Sequence, residues 1–131
     1  MSILKRWFDE VWNQGREATI DELLAPDAKV HGLTDADGNE VSGVESFRAY
    51  WRAFRSTFSD IHIDVQDIVI EGDLSVARFV VTARHTGEGL GKPPKGNPVE
   101  FSGMTMVRIE DGKLVEGWNN VDFATMVQQI G

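Results

Sequence analysis

Glu116 to Phe123 reads EGWNNVDF, a run in which a carboxylate, Asp122, follows an indole, Trp118, and two amides, Asn119 and Asn120. On the period of two that a strand imposes, Leu114, Glu116, Trp118, Asn120 and Asp122 share one face, which suits the polar corner of an apolar pocket. A carboxyl group held beside an indole has a raised pKa, the property needed by a general acid or base near neutral pH. Asp is also a favoured helix N-cap, and Phe123 opens a terminal helix. The two roles predict opposite shifts of the same carboxyl group, and the spacing admits both. His85 closes an apolar row, Ala77, Phe79, Val81 and Ala83, where it would shuttle a proton or stand as a partly buried structural histidine. It gains a catalytic role only if it meets Asp122 in space. His31, beside Gly32, is placed either at a cavity mouth or on the surface.

Other chemistries lack their residues. The chain has three histidines and no cysteine, and no two histidines have metal-ligand spacing, so no metal is expected. The stretch TGEGLGKPPKGNP, Thr86 to Pro98, contains a G-x-G, but Pro93 and Pro94 forbid the helix that a dinucleotide site requires. It reads as a lid, a binding loop or a solvent-exposed excursion. No phosphate loop or nucleophile elbow is present, and no cofactor is expected.

The elements that position these groups follow from periodicity. Ile3, Leu4, Trp7, Phe8, Val11 and Trp12 recur at helical spacing, and Asn13 to Gly15 end that helix. Thr19 with Glu22, and Ser42 with Glu45, read as capping boxes, and Pro26 stops the second helix. Between them lie a brief strand, KVHG, and the turn TDADGN. Val44, Phe47, Trp51, Phe54 and Phe58 form one apolar stripe on a long helix. From residue 61 the period becomes two, predicting antiparallel strands near 61–70, 74–86, 99–109 and 113–121 and a final short helix. Helices followed by a curled meander imply an α+β domain with a cavity at the wide end of the sheet.

With 131 residues the chain is expected to be a single domain spanning 1–131. A net charge of −8 with no basic stripe argues against nucleic acid and against an anionic membrane surface. No segment approaches the ~20 apolar residues of a membrane span. The N-terminus lacks the apolar core of a signal peptide, so a cytoplasmic protein is expected.

RHTGEGLGKPPKG and GMTMVRIEDGKLVEGWNNVDFATMVQQIG, with the earlier APDAKVHG and the helix from Gly43 to Phe54, resemble the SnoaL-like polyketide cyclase, or ester cyclase, family of the nuclear transport factor 2-like fold. The motifs are His85 with Gly87, Gly91 to Gly96, Arg108 with Asp111 and Gly112, Glu116 with Trp118, Asp122, and Gln129 with Gly131. The resemblance covers nearly the whole chain. It departs at Arg84, where a small or hydroxyl residue is expected, and at Gly117, where a larger polar one is common.

The resemblance implies a cone-shaped domain around an apolar cavity, a homodimer, and cofactor-free acid/base chemistry on a hydrophobic carbonyl compound. It assigns general acid/base duty to Asp122 in an aldol-type ring closure, with His85 assisting. Trp118, Asn120, His31, Phe79 and Trp51 are the residues expected to touch substrate. A non-catalytic binding or assembly module on the same fold is the alternative. Epoxide hydrolysis ranks lower because Val80 stands where a carboxylate is needed, and steroid isomerisation because the one tyrosine, Tyr50, lies on the long helix.

Overall fold

Helices lie along the inner face of a six-stranded sheet in a computed structural model that describes residues 2–35 and 37–131. Ile3–Arg6 (α1) begins at Ser2, whose Oγ accepts from the Lys5 N–H, and continues as a π-helical segment, Trp7–Asn13. That segment buries Trp7, Phe8, Val11 and Trp12. Asn13 ends it by exchanging two hydrogen bonds with the backbone of Ile63, at 2.6 and 3.0 Å, fixing the helix end to the sheet.

Ala18–Leu23 (α2) leads directly into Leu24–Thr34 (β1), followed by Glu40–Ser42 (β2), Gly43–Thr57 (α3), Phe58–Glu71 (β3), Leu74–His85 (β4), Asn97–Glu110 (β5), Lys113–Val121 (β6) and Phe123–Ile130 (α4). The sheet order is β2-β1-β6-β5-β4-β3. The four expected strands and the terminal helix are all present. Two expectations change: KVHG is part of an eleven-residue strand, and that strand pairs parallel with β6, so the sheet is mixed. Pro26 lies inside β1 and does not terminate α2, which already ends at Leu23.

The caps also differ. Thr19 is buried within α2, where its hydroxyl donates to Glu10 Oε1 at 2.7 Å and accepts from Arg16, while Glu17 holds the N-cap position. Ser42 does occupy the N-cap position of α3, but its own N–H donates to Ser46 Oγ at 3.1 Å. In the turn before β2, Asp35 Oδ1 accepts from the N–H groups of Asp37 and Asn39; Ala36 of that turn lies outside the described residues.

β4 alternates as expected: Ala77, Phe79, Val81, Ala83 and His85 are buried, and Arg78, Thr82 and Arg84 are exposed. The inner row packs on the aromatic helix faces, with Phe8 5.0 Å from Phe79 between ring centroids, and the helices pack on each other, with Trp7 5.1 Å from Phe47. Burial of these large rings removes the most apolar area per residue and dominates the core. Among the described residues no helix is long and apolar enough to cross a membrane.

Candidate active site

β6 decides what faces the interior. In its pairing with β5, Leu114 lies opposite Ile109 but Glu116 lies opposite Arg108, so one extra residue, Val115, is accommodated on β6. Such a bulge reverses the parity of everything beyond it. Gly117, Asn119 and Val121, opposite Val107, Thr105 and Gly103, therefore take the inner face, and Glu116, Trp118 and Asn120 the outer one. The single face expected for Leu114, Glu116, Trp118, Asn120 and Asp122 does not exist.

Between the helices and the inner face lies a cavity of about 100 Å³. Its walls are overwhelmingly apolar, among them Trp7, Phe8, Phe47, Phe79, Phe101 and Phe123. That volume is below the ~300 Å³ at which ligand pockets usually begin, so a polyketide-sized molecule enters only by displacing wall side chains. Tyr50 and Thr105 bring hydroxyls to the lining and Asn119 an amide, while the paired Lys29 and Glu116 turn their side chains to the outer face. Burial pushes the Tyr50 phenol up to about 12, and among the described residues its hydroxyl has no hydrogen-bond partner. The Asn119 amide is fixed at both ends: Oδ1 accepts from Thr105 Oγ1 at 2.9 Å, and Nδ2 donates to the His31 carbonyl at 3.0 Å. An amide nitrogen has two hydrogens, so one remains for a ligand.

Of the residues expected at the site, Phe79 lines the cavity. Trp51 is a core residue whose Nε1–H donates to the Val11 carbonyl at 3.0 Å. Trp118 and Asn120 are on the outer face for the reason given above. His31 lies outside the lining, stacked on Trp118 with centroids 5.5 Å apart, and donates from Nδ1 to Glu40 at 3.1 Å and from Nε2 to Glu116 at 2.7 Å. These two bonds hold its pKa above the ordinary histidine value, Glu116 contributing most.

His85 is 1% exposed, its Nε2 has no partner among the described residues, and its ring packs 5.6 Å from Phe58. It does not meet Asp122. Phe79 pairs with Gly103, next to Ser102, whose carbonyl accepts the Asp122 N–H, and from Phe79 to His85 β4 runs ~20 Å at about 3.3 Å per residue.

Asp122 is the N-cap of α4. Its carboxylate accepts from Thr125 Oγ1 at 2.6 Å and Thr125 N–H at 3.1 Å, and these bonds hold the pKa below the ordinary Asp value. It is exposed and turned away from the cavity, although its neighbours Val121 and Phe123 line it. Because the folded pKa is depressed, the cap contributes stability above the ordinary Asp pKa and loses it as pH falls through the lowered value. Asp122→Ala should lower the melting temperature at neutral pH and Asp122→Asn should not, a comparison made by calorimetry.

Two polar residues, Tyr50 and Asn119, were not expected in the cavity lining. Tyr50 is three residues after Phe47 and four before Phe54, so helical spacing already puts it on the inner stripe. For Asn119 the available signal was Gly117, since a lone glycine in a strand often marks a nearby bulge. Among the described residues no His, Asp or Glu cluster is arranged to hold a metal ion.

Comparison with known proteins places this geometry. The family described as SnoaL-like polyketide cyclase matches residues 2–130. Nogalonic acid methyl ester cyclase of Streptomyces nogalater is 28% identical over 127 residues, covering 92% of this chain and 89% of that protein. Wild-type IdmH of Streptomyces antibioticus superposes with a TM-score of 0.84 at 35% identity, over 98% of this chain and 96% of its own. A Catenulispora acidiphila protein with the ketosteroid isomerase-like fold, 16% identical with a TM-score of 0.78 over 99% of this chain and 92% of its own, shares the architecture alone. The curved α+β domain and the match across its length show that the chain belongs to the SnoaL-like polyketide cyclase family.

Proposed function

We propose that the chain closes a ring in a hydrophobic, polyketide-type carbonyl compound held in the cavity, by acid/base chemistry of its own side chains and without a cofactor. The observation that carries this reading is the convergence of Tyr50, Thr105 and Asn119 on an otherwise apolar cavity. In an aldol-type closure a proton leaves the carbon beside one carbonyl, the resulting enolate carbon attacks a second carbonyl, and the new alkoxide takes up a proton. The product is an isomer of the substrate. Tyr50, protonated throughout the neutral range, and the spare Asn119 N–H are the donors for the oxygen on which charge develops.

Asp122, set between the cavity-lining Val121 and Phe123, is the acid/base group nearest the site. Glu116 lies on the outer face with Trp118, where His31 holds its Oε2. Asp122 takes the role assigned by resemblance only if its carboxylate first leaves Thr125. Tyr50→Phe should reduce turnover about 10²-fold, the usual cost of removing one oxyanion donor, with little change in KM.

Nogalonic acid methyl ester, the compound in the relative's name, is the first substrate to try, within a panel of polyketide methyl esters. Conversion to a product of unchanged mass and altered absorbance is expected. A second reading, ligand binding without turnover, is favoured by the depressed Asp122 carboxyl. Quenching of Trp7 and Trp12 fluorescence by panel compounds that are never converted would establish it. The outer sheet face, with Arg78, Val80, Thr82 and the 48% exposed Met104, is the surface we assign to a homodimer contact.

A further inference from the structure

His31 makes contacts on every side, and none is with the cavity itself. Its ring joins three strands: Nδ1–H to Glu40 on β2, Nε2–H to Glu116 on β6, and the ring face to Trp118. Two carboxylates on opposite edges of one imidazole require a hydrogen on each nitrogen, which makes the ring a cation. Its backbone carbonyl, pointing the other way, accepts the bond that orients Asn119. Next in the chain is Gly32, where a Cβ would sit 1.9 Å from the Asn119 carbonyl oxygen, so β1 and β6 are closest where this bond is made.

We propose that His31 is a positioning residue for the cavity: its ring, clamped between Glu40 and Glu116, pins β1 on β6 so that its own carbonyl holds the Asn119 amide with one N–H turned toward the ligand. The inference rests on the cavity being the place where substrate binds. Charged groups around the ring are Glu40 from β2, Glu116 from β6, Lys29 two residues earlier on β1, and Arg108, which faces Glu116 from β5 but bonds to Asp73. The two carboxylates in direct contact favour the cation. Loss of its proton leaves one nitrogen without a hydrogen for a carboxylate and weakens the clamp on one side. The Asn119 amide is then less firmly held, although neither Asn119 nor Thr105 titrates near neutrality.

The experiment is a pH series on ¹⁵N-labelled protein from about pH 5.5 to about pH 9, spanning the ordinary histidine value of about 6.5. It follows the His31 ring and the side-chain NH₂ signals of Asn119 together. The Asn119 signals should shift with the midpoint of the His31 ring, and in Glu116→Gln and Glu40→Gln that shared midpoint should move to lower pH. Asn119 signals that stay still while His31 titrates overturn the proposal, as does an unchanged midpoint in both folded variants. Turnover is read separately on the parent protein. A rate that falls over the same pH interval supports positioning, whereas coupled signals in a protein that converts no substrate keep the positioning role and remove the cyclase reading.

Discussion

Asp122→Asn should lower the rate of ring closure about 10²-fold or more, while Glu116→Gln changes it far less. General acid or base catalysis by one placed side chain contributes about 10²- to 10⁴-fold, and the amide is isosteric but takes no proton at neutral pH. Asp122 is suited to the role because its chain neighbours Val121 and Phe123 line the cavity, whereas the Glu116 carboxylate lies on the outer face, bonded to His31. Asp122 carries two hydrogen bonds from Thr125, and Asn preserves a cap there. The pair of variants separates the candidates by rate, and both should melt cooperatively. Full activity in Asp122→Asn with lost activity in Glu116→Gln would remove the acid/base role from Asp122, whose carboxylate must leave Thr125 to take it.

The contrast between those carboxylates shows what the sequence carries. Periodicity located β3 through β6, the apolar stripe of α3 and the inner row of β4, because those patterns repeat over many residues and burial enforces them. It failed on β6, where one inserted residue, Val115, exchanges the two faces within a single strand. An alternation read across that point assigns Trp118 and Asn120 inward and Asn119 outward, opposite to their places. Parallel pairing of β1 with β6 was equally hidden, since it joins segments that no local pattern connects. His31 therefore looked like an isolated histidine, although its partners Glu40 and Glu116 are nine and 85 residues away along the chain. Asp122 presents the reverse case: both of its roles were legible, and the cap is the one present in the fold.

Gly32→Ala should be the most damaging single-methyl change at the seam between β1 and β6. The position has φ +88°, which costs an L-residue roughly 1–2 kcal/mol, and the new Cβ would lie 1.9 Å from the Asn119 carbonyl oxygen. That oxygen is backbone and cannot rotate aside, so β1 must move off β6. A total loss above ~4 kcal/mol is expected, the range reserved for strain and disrupted networks. For a domain of this size it lowers the melting temperature by roughly 10 °C or more. Gly112→Ala is the matched control, with φ +76° but nothing within 4 Å of its Cβ, so only the conformational cost of ~1–2 kcal/mol applies. Equal losses in the two variants would show that the approach of the strands contributes nothing. Unequal losses isolate that approach, and the same displacement carries the His31 carbonyl away from Asn119. The folded fraction of Gly32→Ala at low temperature should therefore be a poor catalyst even after correction for its stability.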